Sequence, residues 1–125
     1  MGRGLTLDTG ALIAIERRRV RIKQILAAAR TLGVQITVPT VVVAEWWRGR
    51  KGPVAKILDG VLVEPLSRDL ARIAGEALAR TKRSNAIDAI VVASAAQRGD
   101  VVYTSDLADL SAIAVCFPEV RVLRV

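Results

Sequence analysis

The stretch LTLDTGALIAI, residues 5–15, is apolar almost throughout, yet it carries an aspartate, Asp8, near its middle. Its pattern predicts a short buried strand over residues 4–7, a turn at Asp8-Thr9-Gly10 and a helix over residues 11–16. An ionised carboxylate is costly to bury without a partner. The order strand, turn, helix therefore places a carboxylate at the carboxyl end of the first strand, where its presence needs a reason.

Three further acids share this kind of setting. Glu45 lies within VVVAEWW, residues 41–47, and Asp88 lies within AIDAIVVASA, residues 86–95. Asp106 follows VVYT, residues 101–104, which predicts another short strand. Because Asp8 and Asp106 each follow a strand, and Glu45 and Asp88 each interrupt an apolar helix, we expect all four carboxylates to gather at one rim.

The rest of the chain alternates short apolar strands with helices. The pattern predicts further strands over 34–39, 61–66 and 120–125, and helices over 17–33, 40–47, 67–81, 83–99 and 106–114. It also predicts a short helix that ends at Asp59-Gly60. Continuous apolar strands separated by helices indicate parallel pairing. We therefore predict one α/β domain over residues 1–125, with three layers and a mostly parallel sheet of about five strands. Ligands of such sheets bind beyond the carboxyl ends of the strands.

Some helix details follow from single residues. Gly33 is the expected stop of the second helix, and Thr40 is the expected N-cap of the third, which should run through Trp46 and Trp47. Ile73, with Ala77 and Leu78, should lie on the buried face of the helix over 67–81.

Composition restricts the chemistry. The chain of 125 residues has 19 Lys and Arg against 12 Asp and Glu, and this net charge of +7 favours a polyanionic or acidic partner. It has no histidine, which removes the commonest general base. Its single cysteine excludes an internal disulfide and a cysteine-based zinc site. Without a long apolar run or a secretory signal, a cytoplasmic protein with no membrane association is expected.

Helix capping is the simpler explanation for some of the acids. Asp8 and Asp106 stand where N-caps are expected, and Asp88 stands three residues after Asn85, as in a capping box. Glu45 is harder to explain because it lies in mid-helix. Four carboxylates at one rim would repel one another unless a cation lay between them, and magnesium and manganese prefer such oxygen ligands.

The sequence resembles a known family at four places. LDTGAL at 7–12, TVVVAE at 40–45, AIDAIVVASA at 86–95 and VVYTSDLADL at 101–110 occur in the order found in PIN-domain ribonucleases. The resemblance is strongest to the VapC-type toxins of bacterial toxin–antitoxin pairs. It implies a metal-dependent endoribonuclease, using Mg²⁺ or Mn²⁺, that hydrolyses RNA phosphodiesters with a metal-activated water. It also implies a homodimer and a cognate antitoxin protein.

The resemblance assigns roles to individual residues. Those matching the family's acidic quartet, expected to be both catalytic and metal-binding, are Asp8, Glu45, Asp88 and Asp106. Those matching its supporting hydroxyls and its additional acid are Thr9, Thr104 and Asp109.

Basic residues form three clusters along the chain. The first contains Arg17, Arg18, Arg19, Arg21 and Lys23; the second Arg48, Arg50 and Lys51; the third Arg80, Lys82 and Arg83. A charge run is usually a solvated face. The second cluster follows Glu45, however, and the third precedes the helix of Asp88, so we predict that these two bind RNA phosphates.

We also considered other functions for this sequence. The main alternative is a non-catalytic RNA-binding module that uses the basic faces. A haloacid-dehalogenase phosphatase would need an aspartate two residues after Asp8, where the chain has Gly10. A phosphate-accepting receiver domain would need paired acids after the first strand, and that pair is absent. Trp46 and Trp47 could stack on bases, although such a pair more often packs in a core or an interface.

Overall fold

Strands and helices alternate along almost the whole chain in the computed structural model, which describes residues 3–49 and 52–125. The strands are β1 (Leu5–Leu7), β2 (Ile36–Pro39), β3 (Leu62–Glu64), β4 (Val101–Thr104) and β5 (Arg121–Arg124). The α-helices are α1 (Thr9–Glu16), α2 (Val20–Leu32), α3 (Thr40–Trp46), α4 (Arg68–Thr81), α5 (Ala86–Arg98) and α6 (Leu107–Ala114). A short 3-10 helix, Ala55–Gly60, precedes β3.

The five strands form one sheet in the order β3-β2-β1-β4-β5, and every pair is parallel. The predicted α/β class and mostly parallel sheet are therefore confirmed. Leu7, the last residue of β1, pairs with Tyr103 of β4. This register brings the carboxyl ends of β1 and β4 side by side, so Asp8 and the loop after Thr104 meet at one rim.

Helices cover the sheet to make the three layers. Helix α5 packs on β1, β2 and β4 and contacts α4 and α6, while α1 contacts β1, β4, α2 and α3. Residues 89–95 of α5 are all buried, which explains its apolar sequence on every side. No helix in the described ranges is both long and apolar enough to span a bilayer.

Three helix details differ from the prediction. Helix α1 begins at Thr9, because Asp8 caps it. Helix α2 begins at Val20, because Arg18 has a positive φ of 53° that interrupts the helical path. Pro39, and not Thr40, occupies the N-cap position of α3, and no side chain caps that helix.

Two further details concern packing. Helix α3 ends at Trp46, which is buried, whereas Trp47 is the C-cap and is partly exposed. Ile73 is exposed, because α4 packs through Leu70, Ala74 and Ala77 instead. The stop at Gly33 is confirmed, with the left-handed backbone (φ 68°) that glycine tolerates.

A polar network surrounds Arg98 at the C-terminal end of α5. Arg98 donates from Nε to Asp100 Oδ2 at 2.8 Å and from Nη2 to Thr6 Oγ1 at 2.8 Å, and its Nη1 pairs with Glu64. Thr6 Oγ1 donates to Asp100 Oδ2 at 2.8 Å, and Ser94 Oγ donates to Glu64 Oε1 at 2.7 Å. The network joins α5 to β1, β3 and the start of β4.

Candidate active site

Asp8 is fixed at the rim by both of its carboxylate oxygens. Oδ1 accepts the backbone N–H of Ala11 at 2.8 Å, and Oδ2 accepts the hydroxyl of Thr104. The residue is only 6% exposed. Asp8 is thus the N-cap of α1, as the simpler interpretation requires, but capping uses only one oxygen. The second oxygen ties the end of β1 to the end of β4.

Gly10 allows α1 to approach the loop after β4. A Cβ atom on Gly10 would lie 1.9 Å from Ser105 Oγ and 2.9 Å from Ser105 Cβ. Only a residue without a side chain fits there unless the loop moves. Gly10 therefore helps to keep Asp8 close to Asp106, a role that the sequence pattern did not reveal.

Glu45 faces outward, although its apolar neighbours suggested a buried setting. Val42 and Trp46, four residues apart, are the residues through which α3 is buried, and this leaves Glu45 on the exposed side. Its Oε1 accepts the hydroxyl of Thr9, the first residue of α1. Thr9 therefore holds the Glu45 carboxylate beside the end of β1.

Asp88 is not the cap of its helix. Asn85 is the cap, and its Oδ1 accepts the backbone N–H of Asp88 at 3.1 Å. The Asp88 carboxyl lies in the first turn of α5, near the positive end of the helix dipole. Asn85 thus satisfies the helix end, and the carboxyl of Asp88 remains free for another role.

Asp106 also has a carboxyl that is not used for capping. It occupies the N-cap position of α6, but its side chain makes no capping hydrogen bond. Its backbone N–H donates instead to Thr104 Oγ1 at 2.8 Å, the same hydroxyl that donates to Asp8. Thr104 is fully buried and so connects the backbone of one acid to the side chain of the other.

Three carboxyl groups come close together beside this loop. Asp88, Asp106 and Asp109 each offer an oxygen, and these oxygens all lie within 4.8 Å of one another. Asp109, predicted only as a supporting acid, is therefore as well placed as Asp88 or Asp106 to bind a cation. This donor set, made only of carboxylate oxygens, fits a hard divalent cation such as Mg²⁺ or Mn²⁺.

Burial and neighbouring carboxylates raise the pKa values of three acids at the rim, Asp8, Asp88 and Asp106. Burial, followed by the charges of Asp106, Asp8, Asp109 and Glu45, raises the pKa of Asp88 to about 6. Burial also raises the pKa of Asp8, with Asp106 and Glu45 contributing and the bonds from Thr104 and Ala11 opposing. Desolvation and the neighbouring Asp109 carboxyl raise the pKa of Asp106. A bound cation would relieve this repulsion.

The metal-free protein is expected to become more stable as the pH falls from about 7 to about 5. The pKa of Asp88 is about 6 in the folded protein against an ordinary value of 3.8. Between these values the folded state binds more protons than the unfolded state, so acidification favours folding and the gain is lost as the pH rises through about 6. Thermal melts in EDTA across this range measure the effect. A melting temperature that rises with pH there would contradict it.

The predicted RNA-binding residues are not equally close to the acids. Arg48 lines a cleft of about 330 Å³ with Thr9 and Glu45, and Arg83 Nη1 lies 3.6 Å from Asp109 Oδ1. Arg80 is exposed in the last turn of α4, and Lys82 is its C-cap. Arg50 and Lys51 lie outside the described residues.

Comparison with protein families identifies the fold. The PIN domain matches residues 5–115, a span that runs from β1 to the end of α6 and contains all five acids. The chain belongs to the PIN domain family. The PIN-domain resemblance of the sequence is thereby confirmed, and PIN domains are in general nucleases.

Solved structures share the fold of this PIN domain at low sequence identity. VapBC2 from Rickettsia felis, bound to a DNA fragment from its promoter, gives a TM-score of 0.73 at 15% identity, covering 97% of this chain and 98% of that chain. DNA-bound VapBC from Salmonella typhimurium gives 0.71 at 18% identity, covering 98% of each. FitAcB from Neisseria gonorrhoeae gives 0.65 at 19% identity, covering 95% and 96%. Comparison with curated proteins finds no match.

Proposed function

We propose that this PIN domain is a metal-dependent endoribonuclease and the toxin of a type II toxin–antitoxin pair. One observation carries the proposal: carboxylate oxygens of Asp88, Asp106 and Asp109 lie within 4.8 Å of one another, at a rim where Asp8 and Glu45 add their charges. So many negative charges close together destabilise the protein unless a cation binds among them. Membership of a nuclease family supports the same function.

The residues proposed to hold Mg²⁺ or Mn²⁺ directly are Asp88, Asp106 and Asp109. Asp8 and Glu45 of the predicted quartet add their negative charge to the site. A bound divalent cation would stabilise negative charge on the phosphodiester and lower the pKa of water. The chain has no histidine to act as the base, and a carboxylate at the rim is the group proposed to accept the proton of the attacking water.

Glu45 is the carboxylate best placed to take that proton. It is exposed, it is oriented by the hydroxyl of Thr9, and it lies outside the triad of Asp88, Asp106 and Asp109. In the proposed reaction, the oxygen of a water molecule bonds to phosphorus while Glu45 accepts a proton from that water. The bond from phosphorus to the leaving oxygen breaks, and the leaving oxygen takes a proton from solvent to give a free hydroxyl. Asp8 and Thr104 keep the two strand ends in register during the reaction.

Basic residues beside the acids are proposed to hold the RNA. Arg48 lines the cleft with Glu45, and Arg83 reaches Asp109. In the proposed complex the phosphate backbone takes the place of Asp109 as the partner of Arg83. Arg50, Lys51, Arg80 and Lys82 remain proposed contributors to the same surface.

An antitoxin and a second copy of the chain are the proposed protein partners. The structural neighbours from Rickettsia felis and Salmonella typhimurium are VapBC complexes bound to DNA. The net charge of +7 favours an acidic segment in the antitoxin that covers the basic residues beside the acids. The proposed homodimer rests on the family resemblance of the sequence.

Cleavage of RNA is expected to stop when the metal is removed and to return with Mg²⁺ or Mn²⁺. The purified protein is incubated with RNA in EDTA and then with excess of either cation, and the products are separated by size. Asp8→Asn serves as the control against a contaminating nuclease and should be inactive. Full activity in EDTA would refute the metal-dependent reaction. RNA binding without cleavage under any condition would favour the non-catalytic RNA-binding module.

A further inference from the structure

The first basic cluster lines a groove that the proposed function does not yet use. This groove has a volume of about 550 Å³ and lies at the corner between α1 and α2. Its lining includes Gly10, Ile13, Arg17, Arg19, Arg21 and Ser105. Gly10 directly follows Thr9 and Ser105 directly precedes Asp106. The groove therefore begins at the same two segments that carry the acids.

The turn between α1 and α2 directs several arginines into the groove. Arg17 is the C-cap of α1, Arg18 adopts a left-handed backbone with φ 53°, and Arg19 is the extended N-cap of α2. Arg17 and Arg19 line one groove although they cap different helices. Arg21 lies two residues after Arg19, in the first turn of α2, and its Nε donates to the carbonyl of Arg124 at 2.8 Å.

These arginines are available to an external anion. Arg17, Arg19 and Arg21 are all exposed. In the described part of the chain, neither Arg17 nor Arg19 has a carboxylate within ion-pair distance. A guanidinium presents several donors in a planar fork that matches the oxygens of a phosphate. The groove thus has the chemistry of a phosphate-binding surface.

Ile13 shows where the groove leads. This residue of α1 lines the groove of Arg17 and Arg19, and it also lines the cleft that contains Thr9, Glu45 and Arg48. The two cavities therefore share Ile13 as a lining residue, and the second cavity contains Glu45. A polyanion that occupied both would lie beside Glu45.

We propose that the α1–α2 groove holds the phosphate backbone of the RNA on one side of the cleaved bond, through Arg17, Arg19 and Arg21. This inference rests on the proposed function, because it takes the acids as the place of cleavage. It assigns the first basic cluster to the substrate, although the sequence did not distinguish it from a solvated face. An acidic peptide is the less favoured occupant, because continuity with the acids is required of the substrate and not of a partner.

The test compares two double variants that remove the same charge. One is Arg17→Ala with Arg19→Ala. The control is Arg68→Ala with Arg72→Ala, on the exposed face of α4. Binding of a fluorescent single-stranded RNA oligonucleotide is measured in EDTA by anisotropy over a range of salt concentrations. Thermal melts check that both variants fold.

The groove variant is expected to bind RNA about tenfold more weakly at low salt. The negative slope of log affinity against log salt should become less steep by roughly 1.4, which is about 0.7 for each of two lost phosphate contacts on single-stranded RNA. The control should keep the slope of the original protein. Equal slopes in the groove variant and the original protein would overturn the proposal. Poly-L-glutamate, measured in the same way, represents an acidic protein partner. If the groove variant lost binding to poly-L-glutamate but kept the RNA slope of the original protein, the groove would instead belong to an acidic protein partner.

The design separates this inference from the proposed function. Binding is measured in EDTA, so it does not depend on cleavage. A reduced slope supports the groove even if the original protein never cleaves RNA, a result that would count against the nuclease. An unchanged slope in the groove variant, together with normal metal-dependent cleavage by the original protein, would refute the proposal for the groove but not the proposed nuclease function.

Discussion

Replacing Asp88 by asparagine is expected to lower metal-dependent RNA cleavage about 100-fold or more, a loss of roughly 2.7 kcal/mol in transition-state stabilisation. The substitution keeps the size of the side chain but removes one charged oxygen from the group formed with Asp106 and Asp109. Without metal, the variant should be as stable as the original protein or more so, because repulsion at the rim falls. Its stabilisation by added Mn²⁺ should shrink, since only a ligand bound to the folded state stabilises it.

Asn85→Ala is the matched control for Asp88→Asn. Asn85 caps α5 through the backbone N–H of Asp88, so its loss should cost about 1 kcal/mol of stability. The Asp88 carboxyl stays in place, and cleavage by the folded protein should persist. Thermal melts with and without Mn²⁺, beside an RNA assay, distinguish the two variants. If Asp88→Asn melted lower, responded fully to Mn²⁺ and still cleaved RNA, Asp88 would not belong to the site.

The second large effect is expected at the other end of α5, where Arg98→Met should destabilise the protein by about 3–5 kcal/mol. Arg98 pairs with Glu64 and Asp100, and the Asp100 side chain is only 3% exposed. Removing the guanidinium leaves both carboxylates in a poorly solvated place without their cation. Urea unfolding at neutral pH measures the loss of free energy of unfolding.

Arg72→Met on exposed α4 is the control for Arg98→Met, and it should change stability by no more than about 0.5 kcal/mol. Arg98 and Asp88 are ten residues apart on α5, about 15 Å along the helix. Where the Arg98 variant is still folded, cleavage per folded molecule should therefore be unchanged. A destabilisation no larger than that of the control would show that the network contributes little.

The sequence predicted the parts of the fold that depend on local pattern. Alternating apolar strands and helices were enough to predict a parallel sheet, and so the carboxyl-end rim where Asp8 and Asp106 meet. The strand order was not predicted, because local patterns do not specify which strands pair. The Arg98 network was missed for the same reason, since Arg98 and Glu64 are 34 residues apart in the chain.

The candidate site was predicted in outline and differs in detail. Asn85 and Asp88 satisfy a capping pattern together, and only the structure shows that Asn85 is the cap and leaves the Asp88 carboxyl free. The position of Asp109 beside Asp88 depends on how α6 packs against α5, which no local pattern encodes. Glu45 was expected in buried surroundings because the whole segment is apolar, but the side on which α3 packs decides its exposure.

We propose that the acids at the carboxyl rim form one divalent-cation site. Anomalous diffraction near the manganese absorption edge, from crystals grown with Mn²⁺, locates any bound metal. We expect an anomalous peak among the carboxyl groups of Asp88, Asp106 and Asp109, on the side facing Asp8 and Glu45, and the loss of that peak in Asp88→Asn. Occupied manganese sites elsewhere on the protein, with none among these acids, would contradict it.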